Sequence, residues 1–319
     1  MEALVRKRFP NPHLENDRRH PLDFIRWRLG MFDDPHPLFP LPKTFSYPGL
    51  PKRWDAKKPS ALWIGHSTYL IQSDSSAFLT DPVWSNYCSP VPIPVLKRKN
   101  PPPIPIPALP RLSAVLISHN HYDHLDLPSV RQIQKHIRPP LWIVAEGIKP
   151  WFDRKKIGPC VELSWWKSLD LADCTITAVP AQHFSGRTLW DHNQTHWNGY
   201  VITLKSDGRK IYFCGDTGYN PADFKAIGKR FGHMDLSLLP IGAYIPRKFM
   251  SPVHCSPSDA VAIHQDVNSK LSLGMHWATF TLSEEPLERP PFDLYLAMKE
   301  KNLDFDAFLP IRPGERVNW

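Results

Sequence analysis

The sequence predicts an α/β fold. Short apolar runs that read as strands alternate with stretches carrying helix-start signals. With 42% hydrophobic and 12% aromatic residues in 319, the chain is globular and long enough to bury a sizeable core, as one large α/β domain or two small ones. One run, Ala114-Val115-Leu116-Ile117, stops directly at Ser118-His119-Asn120-His121-Tyr122-Asp123-His124-Leu125-Asp126. Nitrogen and oxygen ligands at the end of a buried strand make a metal site on a rigid support.

Residues 1–58 carry little regular pattern. Their most coherent unit, Pro21-Leu22-Asp23-Phe24-Ile25-Arg26-Trp27-Arg28-Leu29-Gly30-Met31-Phe32, reads as an N-terminal helix packed on the domain. Its two arginines keep a membrane-surface role open. Leu62-Trp63-Ile64, Tyr69-Leu70-Ile71 and Ala77-Phe78-Leu79-Thr80 predict short strands, the third ended by Asp81-Pro82 because proline cannot extend the ladder. Residues 90–110, rich in proline and with Lys97, Arg98 and Lys99 together, predict an extended surface loop. A helix is expected from Pro128 to His136, announced by Leu127-Pro128. Strands follow at Leu141-Trp142-Ile143-Val144, Val161-Glu162-Leu163 and Thr175-Ile176-Thr177-Ala178-Val179, with Trp165 and Trp166 as core or loop anchors. Asp207-Gly208 predicts a hairpin turn between strands at 200–204 and 210–214. A helix over 221–231 precedes a strand at 236–240, and 241–247 read as a loop. Pro257-Ser258-Asp259 opens another helix. Residues 271–277 read as a strand ending at a histidine, 291–301 as a last helix, and Phe308-Leu309 as a last strand.

Within 118–126, His119 and His121 alternate with Asn120, so an extended segment points both the same way. Asp123 and His124 turn past them. The ordinary reading of such a cluster is a solvated loop, but the order His-x-His-x-Asp-His is far more specific than a histidine pair. His66, Asp81, His183, Asp216 and His276 each stand just past an apolar run. Taken singly, each reads as a hydrogen-bonded structural histidine or a turn aspartate. Asp81 has a second reading, as a carboxylate behind a ligand that orients its imidazole. Glycines beside Asp216 allow the backbone to bring it close to an ion.

The net charge of +8 favours acidic partners: phosphate, anionic lipid or nucleic acid. The five cysteines are scattered, odd in number and without a Cys-x-x-Cys pair, which argues against a disulfide framework and for a reducing, cytoplasmic compartment. No apolar run approaches the roughly 18 residues of a spanning helix. Met1-Glu2-Ala3-Leu4-Val5-Arg6-Lys7 lacks a secretory apolar stretch. Proline, 36 of 319 residues against a usual share of roughly 5%, predicts long ordered loops.

The His119–His124 order resembles the signature of the metallo-β-lactamase superfamily. More narrowly, the chain is similar to the N-acylphosphatidylethanolamine-hydrolysing phospholipase D family over most of residues 60–315. The marks are Trp63-Ile64-Gly65-His66, Leu79-Thr80-Asp81-Pro82, the stretch from Ile117 to Asp126, Gln182-His183, Gly215-Asp216-Thr217-Gly218-Tyr219, Gly228-Lys229-Arg230-Phe231-Gly232, Ile241-Gly242-Ala243-Tyr244 with Pro246-Arg247, and His276-Trp277. The Gly-Asp-Thr-Gly-Tyr and Gly-Lys-Arg-Phe-Gly runs are not required by a metal, so they point to this branch.

The resemblance implies a four-layer αβ/βα sandwich over 59–319, with the site at one edge of two sheets and 1–58 as an N-terminal extension packed on it. It implies one zinc held by His119, His121 and His183, a second held by Asp123, His124 and His276, and Asp216 bridging both; the donor types also admit iron or manganese. Two such cations, roughly 3.5–4 Å apart, would acidify a bridging water whose hydroxide attacks phosphorus in line. Asp123 or Asp216 would steer its proton. The family's substrate is a phosphodiester whose head-group nitrogen carries an acyl chain, cleaved to phosphatidic acid and an N-acylethanolamine. Such a lipid needs an apolar groove and a membrane approach, for which Trp27, Phe32 and the proline-rich loop are candidates. His254, Tyr244 and Arg247 are candidates for lining the entrance or binding phosphate. Peripheral membrane association and homodimerisation both stay open, and nucleic acid is not expected. The rivals are a hydrolase of another ester, lactone or phosphodiester on the same scaffold, and a non-catalytic binding protein, which would ordinarily have lost ligands.

Overall fold

The computed structural model describes residues 7–14, 31, 39–49, 54–73, 76–137, 140–188 and 190–319, and the structural statements below concern these. The helix expected over 21–32, with Trp27 and Phe32, lies outside them apart from Met31.

Strands β1 (Ser60–Gly65), β2 (Thr68–Gln72), β3 (Ala77–Thr80), β4 (Ala114–Ile117), β5 (Leu141–Ala145), β6 (Cys160–Leu163) and β14 (Arg316–Asn318) form one sheet, in the order β14-β1-β2-β3-β4-β5-β6. The second sheet runs β13-β12-β11-β10-β9-β8-β7. Its strands are β7 (Ser168–Asp170), β8 (Cys174–Val179), β9 (Gly199–Leu204), β10 (Lys210–Phe213), β11 (Leu236–Pro240), β12 (Ser272–Met275) and β13 (Phe308–Leu309). The Asp207-Gly208 turn joins β9 and β10 as an antiparallel pair, with Thr203 opposite Lys210.

Both faces of the first sheet are covered, which is why its strands are apolar throughout and not alternating. Side chains still point to opposite faces in turn. Ala61, Trp63, Ala114 and Leu116 enter the core between the sheets, whereas Leu62, Ile64, Val115 and Ile117 enter a second core on the outer face. That outer core is closed by Val130 and Ile133 of α1 (Leu127–His136) and Phe152 of α2 (Lys149–Lys155). The second sheet is covered by α3 (Pro221–Phe231), α5 (Pro257–Asp266) and α6 (Pro290–Glu300), through Phe224, Ile227, Val261, Ile263, Leu294 and Met298. A short α4 (Arg247–Met250) precedes α5. The layers are therefore helix, sheet, sheet, helix: the four-layer αβ/βα sandwich expected.

Helix starts follow local chemistry. Asp126 caps α1 by accepting from Ser129 N, Asn220 caps α3 by accepting from Asp223 N, and Ser256 and Asp259 form a capping box on α5. Proline occupies the first turn of each. β7, β14, α2 and the four-residue α4 were not expected from the sequence. β7 and β14 are three-residue strands with mostly polar residues, set by pairing with β8 and β1. α2 is only 7 residues, too short to show a helical period.

The N-terminal segment touches the domain where it is described. Phe9 packs with Ala181 and Trp197, and Tyr47 donates its hydroxyl to Phe308 O at 2.7 Å.

Candidate metal centre

Strand direction builds the site. β3, β4, β5 and β6 are mutually parallel, and β1 runs the same way because two antiparallel steps separate it from β3. In the second sheet β10, β11 and β12 are parallel, and β8 shares their direction through β9. The C-terminal ends of these strands therefore crowd one edge of the sandwich. His66 follows β1, Asp81 follows β3, and residues 118–126 follow β4. Opposite them, His183 lies past β8, Asp216 past β10 and His276 directly after β12. Tyr200 of β9 ties the sheets at this edge by donating its hydroxyl to Ile117 O at 2.8 Å, and Asn198 N donates to Ser118 O at 2.9 Å.

All seven residues expected from the sequence converge here. His119, His121 and His183 each offer an atom within 4.8 Å of the other two. His66, Asp123, His124 and His276 form a second such group. Asp216 lies between the groups: its Oδ2 is 3.0 Å from His276 Nε2, 3.2 Å from His124 Nε2 and 3.8 Å from His183 Nε2.

Hydrogen bonds behind the ring nitrogens set which face points inward. Asp81, fully buried, accepts from Ser118 N at 2.7 Å, from Ser118 Oγ at 2.5 Å and from His124 Nδ1 at 2.6 Å. Ser118 gives its proton to Asp81, so its oxygen accepts from His119 Nδ1 at 2.8 Å. His183 Nδ1 faces the Val253 carbonyl at 2.9 Å and must donate. Each of these imidazoles thus presents Nε2 to the site, the arrangement that second-layer carboxylates and carbonyls impose on metal-binding histidines.

The inward atoms lack ordinary partners. His119 Nε2 and His183 Nε2, both carrying lone pairs, stand 2.8 and 3.2 Å from His121 Nδ1, where at most one proton can be shared. His124 Nε2, His276 Nε2 and Asp216 Oδ1 are buried and have no hydrogen bond of acceptable geometry. Buried polar atoms of this kind are rare in native structures and call for an occupant. Imidazole and carboxylate donors fit a transition-metal cation.

Charge agrees. Burial holds His119 and His183 well below the usual histidine range, and holds His121 at about 4, so all three are neutral as ligands must be. Burial opposes protonation of His124 and His276 too, but Asp216 and Asp123 override it, lifting His124 well above its usual range and His276 to about 9. Burial disfavours the charged forms of Asp123 and Asp216, yet His124 and its neighbours hold both carboxyls well below the ordinary range. Two buried carboxylates beside these imidazoles suit cations at the site.

Backbone conformation is unusual here. His66, Asp81 and His276 all have positive φ, at 53°, 30° and 63°. Non-glycine residues in this region are strained and cluster at functional sites. Gly215, at φ 66°, lets the chain pass against Ser118: a β-carbon there would lie 2.8 Å from Ser118 Cβ and 2.9 Å from Asn198 O. Gly215→Val should therefore destabilise the fold by about 3 kcal/mol, from left-handed strain plus overpacking. Calorimetry checks this; an unchanged unfolding temperature would contradict the close approach.

Of the three candidates for substrate contact, only His254 reaches the cluster. Its ring centre lies 5.1 Å from that of His183 and 5.4 Å from that of His276. Tyr244 is buried and donates its hydroxyl to Asp293 Oδ2 at 2.6 Å. Arg247 pairs with Asp259 at 2.6 Å and donates to the His254 carbonyl at 3.2 Å. Asp123 and His254, with 15% and 14% of their side chains exposed, lie together with half-buried His121 on the open side; the other expected ligands are buried.

Several contributors were missed or left undecided from the sequence, Asp81 and Ser118 among them. His66 Nε2 lies 2.9 Å from Asp123 Oδ2, and its place after an apolar run was the available signal. Asn11, in the N-terminal segment, donates to His183 O at 2.7 Å. Arg187 grips the 118–126 loop. Nothing local in the sequence marks the last two.

Comparison with known proteins adds the following. Residues 77–277 match the family model described as a beta-lactamase superfamily domain. The chain is 36% identical over 267 residues, 80% of this chain and 74% of the relative, to "N-acyl-phosphatidylethanolamine-hydrolyzing phospholipase D 1" of Caenorhabditis elegans. It is 36% identical over 234 residues to the mitochondrial N-acyl-phosphatidylethanolamine-hydrolyzing phospholipase D of Saccharomyces cerevisiae, covering 72% of this chain and 49% of the yeast protein. Among solved structures, a possible metal-dependent hydrolase from Veillonella parvula superposes with a TM-score of 0.65 at 16% identity, over 83% of this chain and 100% of that one. That last likeness carries the fold alone.

Proposed function

Since the chain belongs to the metallo-β-lactamase superfamily, and within it to the N-acylphosphatidylethanolamine-hydrolysing phospholipase D family, it is a metal-dependent hydrolase, and we propose that it uses two zinc ions to cleave N-acylphosphatidylethanolamine into an N-acylethanolamine and phosphatidic acid. The observation that carries this reading is the pair of donor groups with Asp216 between them.

His119, His121 and His183 would hold one ion, Asp123, His124 and His276 the other, and Asp216 both. When bound, the pair supplies an activated water and neutralises charge on the phosphoryl oxygens. Asp81 and Ser118 keep the imidazoles oriented. Asp123, whose side chain is partly exposed and whose Oδ2 lies 2.9 Å from His66 Nε2, would hold a proton beside the reacting group, with His66 fixing that oxygen. His254 would meet the phosphate, with Arg247 holding the His254 carbonyl.

A lipid substrate is supported by the surface beside Tyr122. A cavity of about 550 Å³ runs from Tyr122 past Trp151 to the 90–92 stretch of the proline-rich loop. Val91, Ile93 and Val95 on that loop are exposed, with Lys97 and Lys99 following. Apolar tips beside basic residues suit peripheral contact with an anionic bilayer. Among the described residues no helix is long and apolar enough to cross a membrane. The five cysteines are free, which supports the cytoplasmic compartment. Residues 1–58 act in this reading as an extension of the 59–319 domain.

The test is a substrate panel with zinc-loaded protein. N-acylethanolamine should be released from its phospholipid, chelation should stop it, and metal analysis of the protein as purified, before any metal is added, should return close to two zinc ions per chain. Turnover of lactones with no phospholipid cleavage would reject the substrate; iron or manganese in place of zinc would reject the metal.

A further inference from the structure

The first donor group, His119, His121 and His183, comes from two loops far apart in sequence, 118–126 after β4 and 183–188 after β8. One side chain spans them. Arg187 Nη1 donates to Asn120 O and to Leu125 O, each at 2.8 Å. Those two carbonyls flank the turn that carries His121, Asp123 and His124. The guanidinium carbon lies 3.8 Å from the centre of the Tyr122 ring, so the residue between His121 and Asp123 is covered as well. Trp151 stands 5.7 Å away on the same group.

The grip is reciprocal. Gly186 N donates to Asn120 Oδ1 at 2.8 Å, and Tyr122 donates its hydroxyl to Arg187 O at 3.4 Å. Arg187 is itself held by its own turn, where Asp191 Oδ1 accepts from Arg187 N at 3.0 Å, from Thr188 N at 2.8 Å and from Thr188 Oγ1 at 2.9 Å. His183 lies four residues before Arg187 on this tied segment. A planar, multi-donor group is suited to holding two carbonyls and an aromatic face at once, which an ammonium is not.

We propose that Arg187 is a positioning residue for the metal centre: it sets the separation between the His121–His124 turn and His183, and thereby the affinity for the ion both loops share. The proposal rests on the reading of His119, His121 and His183 as one ligand set. Arg187 acts through the backbone on either side of the ligands.

The experiment measures zinc affinity by competition with a chromophoric chelator, and the visible spectrum of the cobalt-substituted protein, for wild type, Arg187→Met and Arg187→Lys. The Met variant keeps the stem volume and removes every donor. Its affinity for one of the two ions should fall by about tenfold or more, the effect expected when a group supporting a ligand is lost, with an altered cobalt spectrum. The Lys variant should recover part of both. A Met variant within twofold of wild type in affinity and with the same spectrum overturns the proposal. So does a loss in the Met variant only as large as its loss of metal-free thermal stability explains. If Arg187→Met does not fold, Arg187→Lys decides: wild-type affinity and spectrum there reject the requirement for a planar double donor. Wild-type protein that binds no metal would instead sink the ligand assignment itself, so the two failures are distinguishable.

Discussion

Asp216→Ala should lower N-acylethanolamine release by at least about 10³-fold, close to 4 kcal/mol of transition-state stabilisation, and bring bound metal below two ions per chain. Among the described residues, Asp216 is the one carboxylate within 3.8 Å of histidines from both donor groups, and it is buried among them. Removing it takes the shared donor from both ions. Alanine leaves a small cavity in a region already shaped by the two sheets, so the fold should persist. Circular dichroism separates this outcome from unfolding. A folded Asp216→Ala protein that keeps activity within tenfold of wild type and two ions per chain would contradict the central role assigned to the residue.

Asp81→Ala should be the most damaging change away from the ligand shell. Its carboxylate meets three donors at once: the Ser118 amide, the Ser118 hydroxyl and His124 Nδ1. Burial pushes the Asp81 carboxyl up, against His124 and Ser118, which favour its charged form. The alanine variant would leave buried donors unmet, at about 1–3 kcal/mol each. It would also free two imidazoles to turn, so zinc affinity should fall by roughly 10–100-fold. Asp81→Asn keeps the volume and one acceptor and should fall between. Equilibrium unfolding and metal competition measure the two effects separately. An Asp81→Ala protein with wild-type zinc affinity would show that the imidazoles are oriented by packing alone.

Much of the site was legible because it is local. His119, His121, Asp123 and His124 fall within six consecutive positions after an apolar run, and Asp126 doubles as the cap of the next helix. Strands were legible where apolar residues filled both faces, as in β1 and β4. His183, Asp216 and His276 were different. Each was an isolated polar residue past a strand, and only likeness to a family joined them before the sheets were seen. Tyr244 and Arg247 show the opposite case. Their chemistry suits phosphate, but Asp293 and Asp259 engage them elsewhere. Nothing near either residue in the chain announces those partners.

By itself, the sequence determined the strand ends, the helix caps and the donor types, since these depend on neighbours within a few residues and on the period of a strand or helix. The tertiary structure alone decided that two sheets bring their C-terminal strand edges together, that Asp81 and Val253 point three imidazoles inward, and that Arg187 and Asn11 reach backbone carbonyls of ligand loops. Those contacts are made to main-chain atoms or across long stretches of chain. A carbonyl oxygen is the same in every residue, so the side chain that will find it leaves no local mark.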